Sequence, residues 1–511
     1  MYYLVPKTTY GNLQCSSLAM TFHERGESGD VIFSYVLIHH TGTMVKPVIF
    51  AICLGVLLSK ALSIPLRSFA DIELIGSQKS LFPFLGGSAP YFSFPANYGI
   101  PTDIPEGCRL TQVQMIGRHG ERYPTRSEAK DIFEVWYKIS NYTGKYEGSL
   151  SFLNNGYEFF IPDESLLEME TTLQNSIDVL NPYTGEMNAK RHAREFLAKY
   201  GKLMENCTNF PIFTTNSKRI YDTAQYFAEA LGDGFNISLQ TLSENSSSGA
   251  NTLAAKSSCP NWNSNANNDI LMSYSRDYLE NISDRLNDEN KGLNLSRKDA
   301  AALFSWCAFE LNAKGYSNIC DIFSAAELIH YSYETDLTSF YQNGPGYKLI
   351  KSIGANLFNA TVKLIRQSAH LDQKVWLSFT HDTDILNYLT TAGLIDDTRN
   401  LTTNHVPFRD HSYHRSWYIP QGARVYTEKF QCSNDSYVRY VVNDAVVPIE
   451  SCSSGPGFSC EEGTFYEYAK DRLRGVSFYE DCDVSKVSKE KELTFYWDWN
   501  TTRYNASLVN Q

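Results

Sequence analysis

A pattern of β-rich run, polar loop and helical run recurs along this chain and limits its fold more than any other feature. The first β-rich run is residues 110–116, with Val113, Met115 and Ile116, and it opens into a loop rich in Arg and His. The second is residues 210–214, followed by Thr215-Asn216-Ser217-Lys218-Arg219 and then Tyr221, Ala224, Phe227, Ala228 and Leu231 at helical spacing. The third is residues 375–379, followed by Thr380-His381-Asp382-Thr383-Asp384 and then Ile385, Leu386, Leu389 and Leu394. Strands alternating with helices predict an α/β fold. In open α/β sheets ligands bind beyond the carboxyl ends of the strands. Three polar loops in that position can meet in one pocket.

Two intervening stretches read differently. Residues 130–205, with a helical run over 186–197, and residues 245–350, with runs over 300–311 and 325–333, look mainly helical. They are expected to form a smaller cap (131–204 and 245–350) inserted into an α/β part made of 64–130, 205–244 and 351–511. Residues 64–107, rich in Gly, Pro and aromatics, read as an extended arm over that part, in which Gly86-Gly87 is a turn rather than a phosphate loop. Residues 422–440 and 493–499 return to β-type alternation and are expected to complete the sheet.

The chemistry concentrates in residues 115–124. Arg118-His119-Gly120-Glu121-Arg122-Tyr123-Pro124 sets two permanently charged guanidinium forks around one imidazole, which is a good nucleophile when neutral. Gly120 is expected to let a bulky anion approach the backbone. Together these residues suggest attack on a phosphate. The formal charge of -12 argues against a nucleic-acid partner, so any phosphate clamp must be local. Glu121 is expected to be a solvated side chain at the pocket rim. His192, His330, His370, His405, His411 and His414 are expected to be surface or hydrogen-bonded structural residues. No metal-ligand cluster of plausible spacing is apparent.

Other features point to export. From Met44 the chain reads as a secretory signal over 44–63, with Lys46, an apolar run over 48–58 and the small residues around Ala61. That run is too short for a membrane span, which needs about 20 apolar residues. Residues 1–43 are expected to be a non-native upstream extension. Sequons at Asn141, Asn206, Asn236, Asn245, Asn281, Asn294, Asn359, Asn400, Asn434, Asn500 and Asn505 predict a surface carrying N-glycans. The cysteines beyond the signal lack a CxxC pair, which favours disulfides over zinc. Cys307/Cys320 and Cys452/Cys460 are near enough in sequence to be local staples. Cys207, inside a sequon, is expected to be the unpaired thiol.

Residues 118–124 fit the RHGxRxP signature of the histidine acid phosphatases, and His381-Asp382 fits that family's HD dipeptide. The first motif would arise by chance with a probability on the order of 10⁻⁴ in a chain of this length. From the arm to the C-terminus the chain resembles the secreted, repressible acid phosphatases of budding yeasts. The resemblance implies a phosphoglycerate-mutase-like sandwich, a mixed sheet flanked by helices with a mainly α-helical cap. It implies His119 as nucleophile and Asp382 as proton donor, with Arg118, Arg122, Arg219 and His381 binding the phosphate. It implies no cofactor, and it pairs Cys108 with Cys432 and Cys259 with Cys482; the lack of a metal-ligand cluster in the sequence predicts that activity survives EDTA.

The implied protein is a glycoprotein of the periplasmic space or cell wall that hydrolyses small phosphomonoesters through a phosphohistidine, at acidic pH, to scavenge phosphate. A homo-oligomer is left open. The alternatives are phytase-type specificity, for which Lys130, Lys190 and Arg191 are unplaced candidates, and a non-catalytic cell-wall glycoprotein of the same fold.

Overall fold

The computed structural model describes residues 19–21, 34–36, 78–95, 99–178, 180–205, 209–395, 398–407 and 411–510. The chain divides into two units, Met1–Asp71 and Ile72–Gln511. In the first, the described residues are one antiparallel pair, Ala19–Thr21 with Ser34–Val36. The expected signal at 44–63, most of the expected extension at 1–43, Asn206 and Cys207 lie outside the described residues.

The second unit is built in chain order from β1 (Cys108–Arg118), α1 (Arg126–Ser140), α2 (Gly185–Tyr200), β2 (Asn209–Thr215), α3 (Lys218–Leu231) and β3 (Asn236–Leu242). Then come α4 (Asp277–Glu289), α5 (Arg297–Lys314), α6 (Ala325–Asn343), α7 (Leu349–Gln367), β4 (Val375–Thr380) and α8 (Asp382–Ala392). The chain closes with β5 (Arg424–Cys432), β6 (Asp435–Val442), β7 (Ala445–Val447), β8 (Cys460–Glu461) and α9 (Glu462–Arg472).

The sheet order is β8-β6-β5-β1-β4-β2-β3, with β7 paired to β6. The run β1-β4-β2-β3 is parallel, and β5 joins β1 antiparallel, so the sheet is mixed. Alternation along the strands divides their side chains between two faces. Val113, Met115, Phe210, Ile212, Leu377 and Phe379 pack with Phe196 and Tyr200 of α2 and with Ile220, Ala224 and Phe227 of α3. On the other face, the buried Gln112 and Gln114 donate to the Leu364 and Thr361 carbonyls of α7, at 3.1 and 3.2 Å. Polar residues survive there because each meets a backbone acceptor.

The helical region is organised on α5. Ser296 and Asp299 form a capping box at its start, and Gly315, at φ 85°, ends it in the left-handed conformation. It is buried on nearly every side, between α1 and α4. Trp306 packs edge-on against Trp136 of α1 and against Phe159, with centroids 5.8 and 5.0 Å apart.

One expected strand is a helix. Within residues 493–499 the structure has a helical turn, Phe495–Asp498. The neighbours Phe495 and Tyr496 are both buried, and both rings contact Phe213 on the sheet. A strand would send successive side chains to opposite faces. The Asn251 side chain also accepts from the amides of Thr494 and Phe495, at 2.9 and 3.1 Å.

Disulfides join Cys108–Cys432, Cys259–Cys482, Cys307–Cys320 and Cys452–Cys460. The first links residues that face each other in the β1–β5 register. The ten sequon asparagines among the described residues are all exposed. No helix among the described residues is long and apolar enough to cross a membrane.

Candidate active site

Strand register makes the site. Arg118 is paired with Thr380 and Phe379 with Thr214 across the parallel strands, so β1, β4 and β2 end side by side. His119 and His381, each one residue past its strand, come together edge to face with ring centroids 6.5 Å apart. Helices α3 and α8 both begin here, with Ser217 and His381 at their N-cap positions. Helix N-termini attract anions.

The His119 ring is held by a bond between Nδ1 and the Gly120 carbonyl at 2.8 Å. A carbonyl only accepts, so Nδ1 carries the proton and Nε2 the lone pair. Burial and the charges of Arg118, Arg219 and Arg122 hold the imidazole well below its ordinary pKa. It is therefore a neutral base in mildly acidic solution.

The three arginines act on this one ring and are 3%, 8% and 7% exposed, in the order Arg118, Arg219, Arg122. Nη1 of Arg118 donates to the carbonyls of Gly87 and Ile419, at 2.5 and 2.6 Å, and its Nη2 reaches Asp382 at 3.3 Å. Nη1 of Arg122 is anchored by the Tyr123 carbonyl and by Glu128 at the start of α1, and its guanidinium lies over Phe309 of α5 at 5.2 Å. Among the described residues, the buried Nε atoms of Arg118 and Arg122 find no hydrogen-bond partner. Buried donors are nearly always paired, so two orphans beside a nucleophile mark a place for an anion. Burial lowers Arg118 and Arg219 only to about 10, so both stay charged in acid.

Asp382 opens α8, and its Oδ2 lies 3.3 Å from both Arg118 and Arg415. Burial alone would raise its pKa, but the charges of Arg118 and Arg415 hold the carboxyl well below the usual range. Nε2 of His381 pairs with Glu244 at 2.7 Å. Burial pushes the Glu244 carboxyl up, but its bond and charge interaction with His381 prevail and hold it low.

All six residues expected to do chemistry lie around this pocket. Three partners escaped the sequence reading: Glu244, Arg415 and the Gly87 carbonyl. Glu244 stands just past β3, the next parallel strand end, so the strand-end rule could have flagged it. Arg415 and Gly87 carry no such signal. Glu121 is not at the rim. It is 1% exposed and accepts from the Tyr91 amide at 2.8 Å and from Asn188 at 3.1 Å, which fastens the arm to the motif, and burial raises its pKa.

Gly120 also differs from expectation. A Cβ there would lie 2.2 Å from Oε1 of Glu170 and 2.7 Å from Cα of Gly185, so close packing against α2 excludes a side chain. The Gly120 amide donates to Thr223 at 2.8 Å, which in turn donates to Glu170 at 2.9 Å. Gly120→Ala is therefore expected to cost about 1–3 kcal/mol of stability, as overpacking does, and to lower turnover by displacing the adjacent His119. Unchanged denaturation midpoint and kcat would contradict this packing role.

The three basic residues weighed for a polyphosphate site lie on two helices, Lys130 on α1 and Lys190 and Arg191 on α2. Lys190 is paired with Glu186 at 2.8 Å, Arg191 is exposed and reaches Asn188 at 3.4 Å, and Lys130 is exposed on α1. Of the other histidines, His192 is buried against the Tyr426 hydroxyl at 2.5 Å and His330 meets Tyr274 at 2.9 Å. His411 and His414 gather around Asp336.

The family model described as Histidine phosphatase superfamily (branch 2) matches residues 109–443. Over 468 residues, 92% of this chain and 100% of the other, the sequence is 65% identical to a protein of Saccharomyces cerevisiae named Repressible acid phosphatase. It is 64% identical over the same shares to the Constitutive acid phosphatase of that yeast. The crystal structure of a phytase from D. castellii is similar with a TM-score of 0.81 and 42% identity, covering 84% of this chain and 93% of that one.

Proposed function

Because the chain belongs to the histidine phosphatase superfamily, branch 2, we propose that it is an acid phosphatase that hydrolyses orthophosphoric monoesters to alcohol and phosphate through a phosphohistidine. The observation that carries this reading is the pair of orphaned arginine donors beside a neutral imidazole whose Nε2 is the nucleophilic nitrogen.

In the first half-reaction Nε2 of His119 attacks phosphorus. The N–P bond forms as the bond to the ester oxygen breaks, and Asp382 gives its proton to the departing alkoxide. Arg118, Arg122, Arg219 and His381 hold the nonbridging oxygens as charge shifts among them. In the second half-reaction water attacks the phosphohistidine, Asp382 takes the proton, and orthophosphate leaves. All charge stabilisation in this scheme comes from side chains, so turnover is expected to survive EDTA.

The state of Asp382 sharpens the scheme. In the free enzyme Arg118 and Arg415 keep it ionised, whereas the acid role needs it protonated. A bound phosphate draws on Arg118, relaxing its hold on Asp382. A substrate monoanion, whose remaining proton has a pKa of about 6, also brings the proton that Asp382 needs. Hence kcat/KM should fall as pH rises through about 6, where the monoanion is lost. On the acid side it should hold until His119 is protonated, well below the ordinary imidazole range. A kcat/KM profile for p-nitrophenyl phosphate that rises toward pH 8 would refute the mechanism.

In this reading the cap is built on α1, α4, α5 and α6, while α2 belongs with the catalytic part because it lies on the sheet beside α3. The signal at 44–63 and the sequons support secretion into the periplasmic space or cell wall, where the enzyme would release phosphate from small esters. The exposure of Lys130 and Arg191 and the pairing of Lys190 with Glu186 favour general monoesters over phytate. The assembled nucleophile, acid and clamp speak against a non-catalytic glycoprotein.

A further inference from the structure

Away from the phosphate clamp, Asp336 of α6 and two histidines just upstream of Arg415 set their ligand atoms around one point. Oδ2 of Asp336 lies 3.2 Å from Nε2 of His411 and 3.7 Å from Nδ1 of His414, and the three atoms lie within 4.8 Å of one another. Ligands bound at about 2.1 Å in a tetrahedral zinc site are about 3.4 Å apart. Asp336 is fully buried, and the side chain of His411 is 9% exposed.

The orientation is more telling than the spacing. Although Asp336 Oδ2 and His411 Nε2 are 3.2 Å apart, neither has a hydrogen-bond partner among the described residues. At that distance an aligned N–H would make a hydrogen bond, so the His411 ring does not aim an N–H at that oxygen. The other carboxylate oxygen, Oδ1, accepts from the Arg415 amide at 2.6 Å, which fixes the direction of Oδ2. The rings are held as well: His411 lies edge-on to Tyr333 at 4.8 Å, and His414 stacks on Trp417 at 3.8 Å. A buried carboxylate without a hydrogen-bonded countercharge at Oδ2 is costly. A divalent cation at the shared point would offset that cost and use all three atoms.

We propose that Asp336, His411 and His414 bind a divalent transition metal of the zinc class, with water at the fourth position. Two imidazoles and one carboxylate suit zinc rather than magnesium or calcium, which prefer all-oxygen sites. The metal would be structural. It would pin α6 to the segment entering Arg415, whose guanidinium meets Asp382. The sequence reading missed the site because His411 and His414 alone are a weak pattern and their third partner lies far upstream on another element.

The test uses the full secreted glycoprotein, stripped with a chelator and dialysed at neutral pH against Zn²⁺ alone. Wild type should take up one tightly held ion per chain, and its Tm should rise with Zn²⁺. His411→Ala and His414→Ala should bind more than about 100-fold more weakly, beyond what loss of a merely orienting group costs. His119→Ala should bind like wild type, which separates this site from the phosphate pocket. Co²⁺ in place of Zn²⁺ should give wild type, but neither His411→Ala nor His414→Ala, the visible absorption of a tetrahedral nitrogen-ligated ion. The proposal is overturned if wild type retains no Zn²⁺ and shows no such Co²⁺ spectrum. It is equally overturned if both loop variants bind as wild type does, or if His119→Ala abolishes binding.

Discussion

His119→Ala is expected to lower kcat/KM by at least about 10⁴-fold toward every phosphomonoester, because the covalent route loses its only nucleophile. The loss should not depend on the leaving group. Other imidazoles are poor substitutes: the neighbouring ring, His381, has Nε2 committed to Glu244, and its centroid is 6.5 Å from that of His119. The clamp should persist, since Arg118 is held by the carbonyls of Gly87 and Ile419 and Arg122 by Tyr123 and Glu128. Orthophosphate should therefore still bind to the variant and protect it from thermal unfolding, even though turnover is gone. A variant that turns over at wild-type rate would end the mechanism.

The second large effect is expected from Asp382→Asn, and here the leaving group matters. Loss of a general acid costs about 10²–10⁴-fold, and the full cost should fall on alkyl phosphates, whose alkoxides leave poorly without a proton. p-Nitrophenolate leaves without one, so p-nitrophenyl phosphate should lose much less. The same change removes the negative charge that now occupies Arg118 and Arg415 at 3.3 Å. Phosphate no longer competes with that carboxylate, so KM should fall while kcat falls. An Asp382→Asn enzyme with equal losses for alkyl and nitrophenyl esters, or with a raised KM, would assign Asp382 to substrate binding instead.

The parallel core of the fold was legible because strand, loop and helix each carry a local pattern. Val113 and Met115 alternate with Gln112 and Gln114, and the α3 and α8 patterns begin where the polar loops end. The strand-end rule then gathered His119, Arg219, His381 and Asp382 without knowledge of the register. What remained hidden depends on packing between distant parts. Nothing near Glu121 indicates that Tyr91 and Asn188 will cover it, and nothing near Gly120 announces Gly185. Arg415 reaches Asp382 from a segment with neither strand nor long helix of its own. Residues 493–499 misled because their alternation suits a strand, whereas two neighbouring rings, Phe495 and Tyr496, pack on Phe213 of the sheet at once.

The covalent intermediate can be observed directly. Phosphohistidine survives base, so wild-type enzyme quenched into alkali during turnover of p-nitrophenyl phosphate can be digested and mapped by mass spectrometry. Phosphate should be found on the peptide that carries Arg118-His119-Gly120, localised to His119, and should be missing from His119→Ala treated identically. Steady turnover with no phosphorylated peptide, or with phosphate on a different residue, is incompatible with nucleophilic attack by His119.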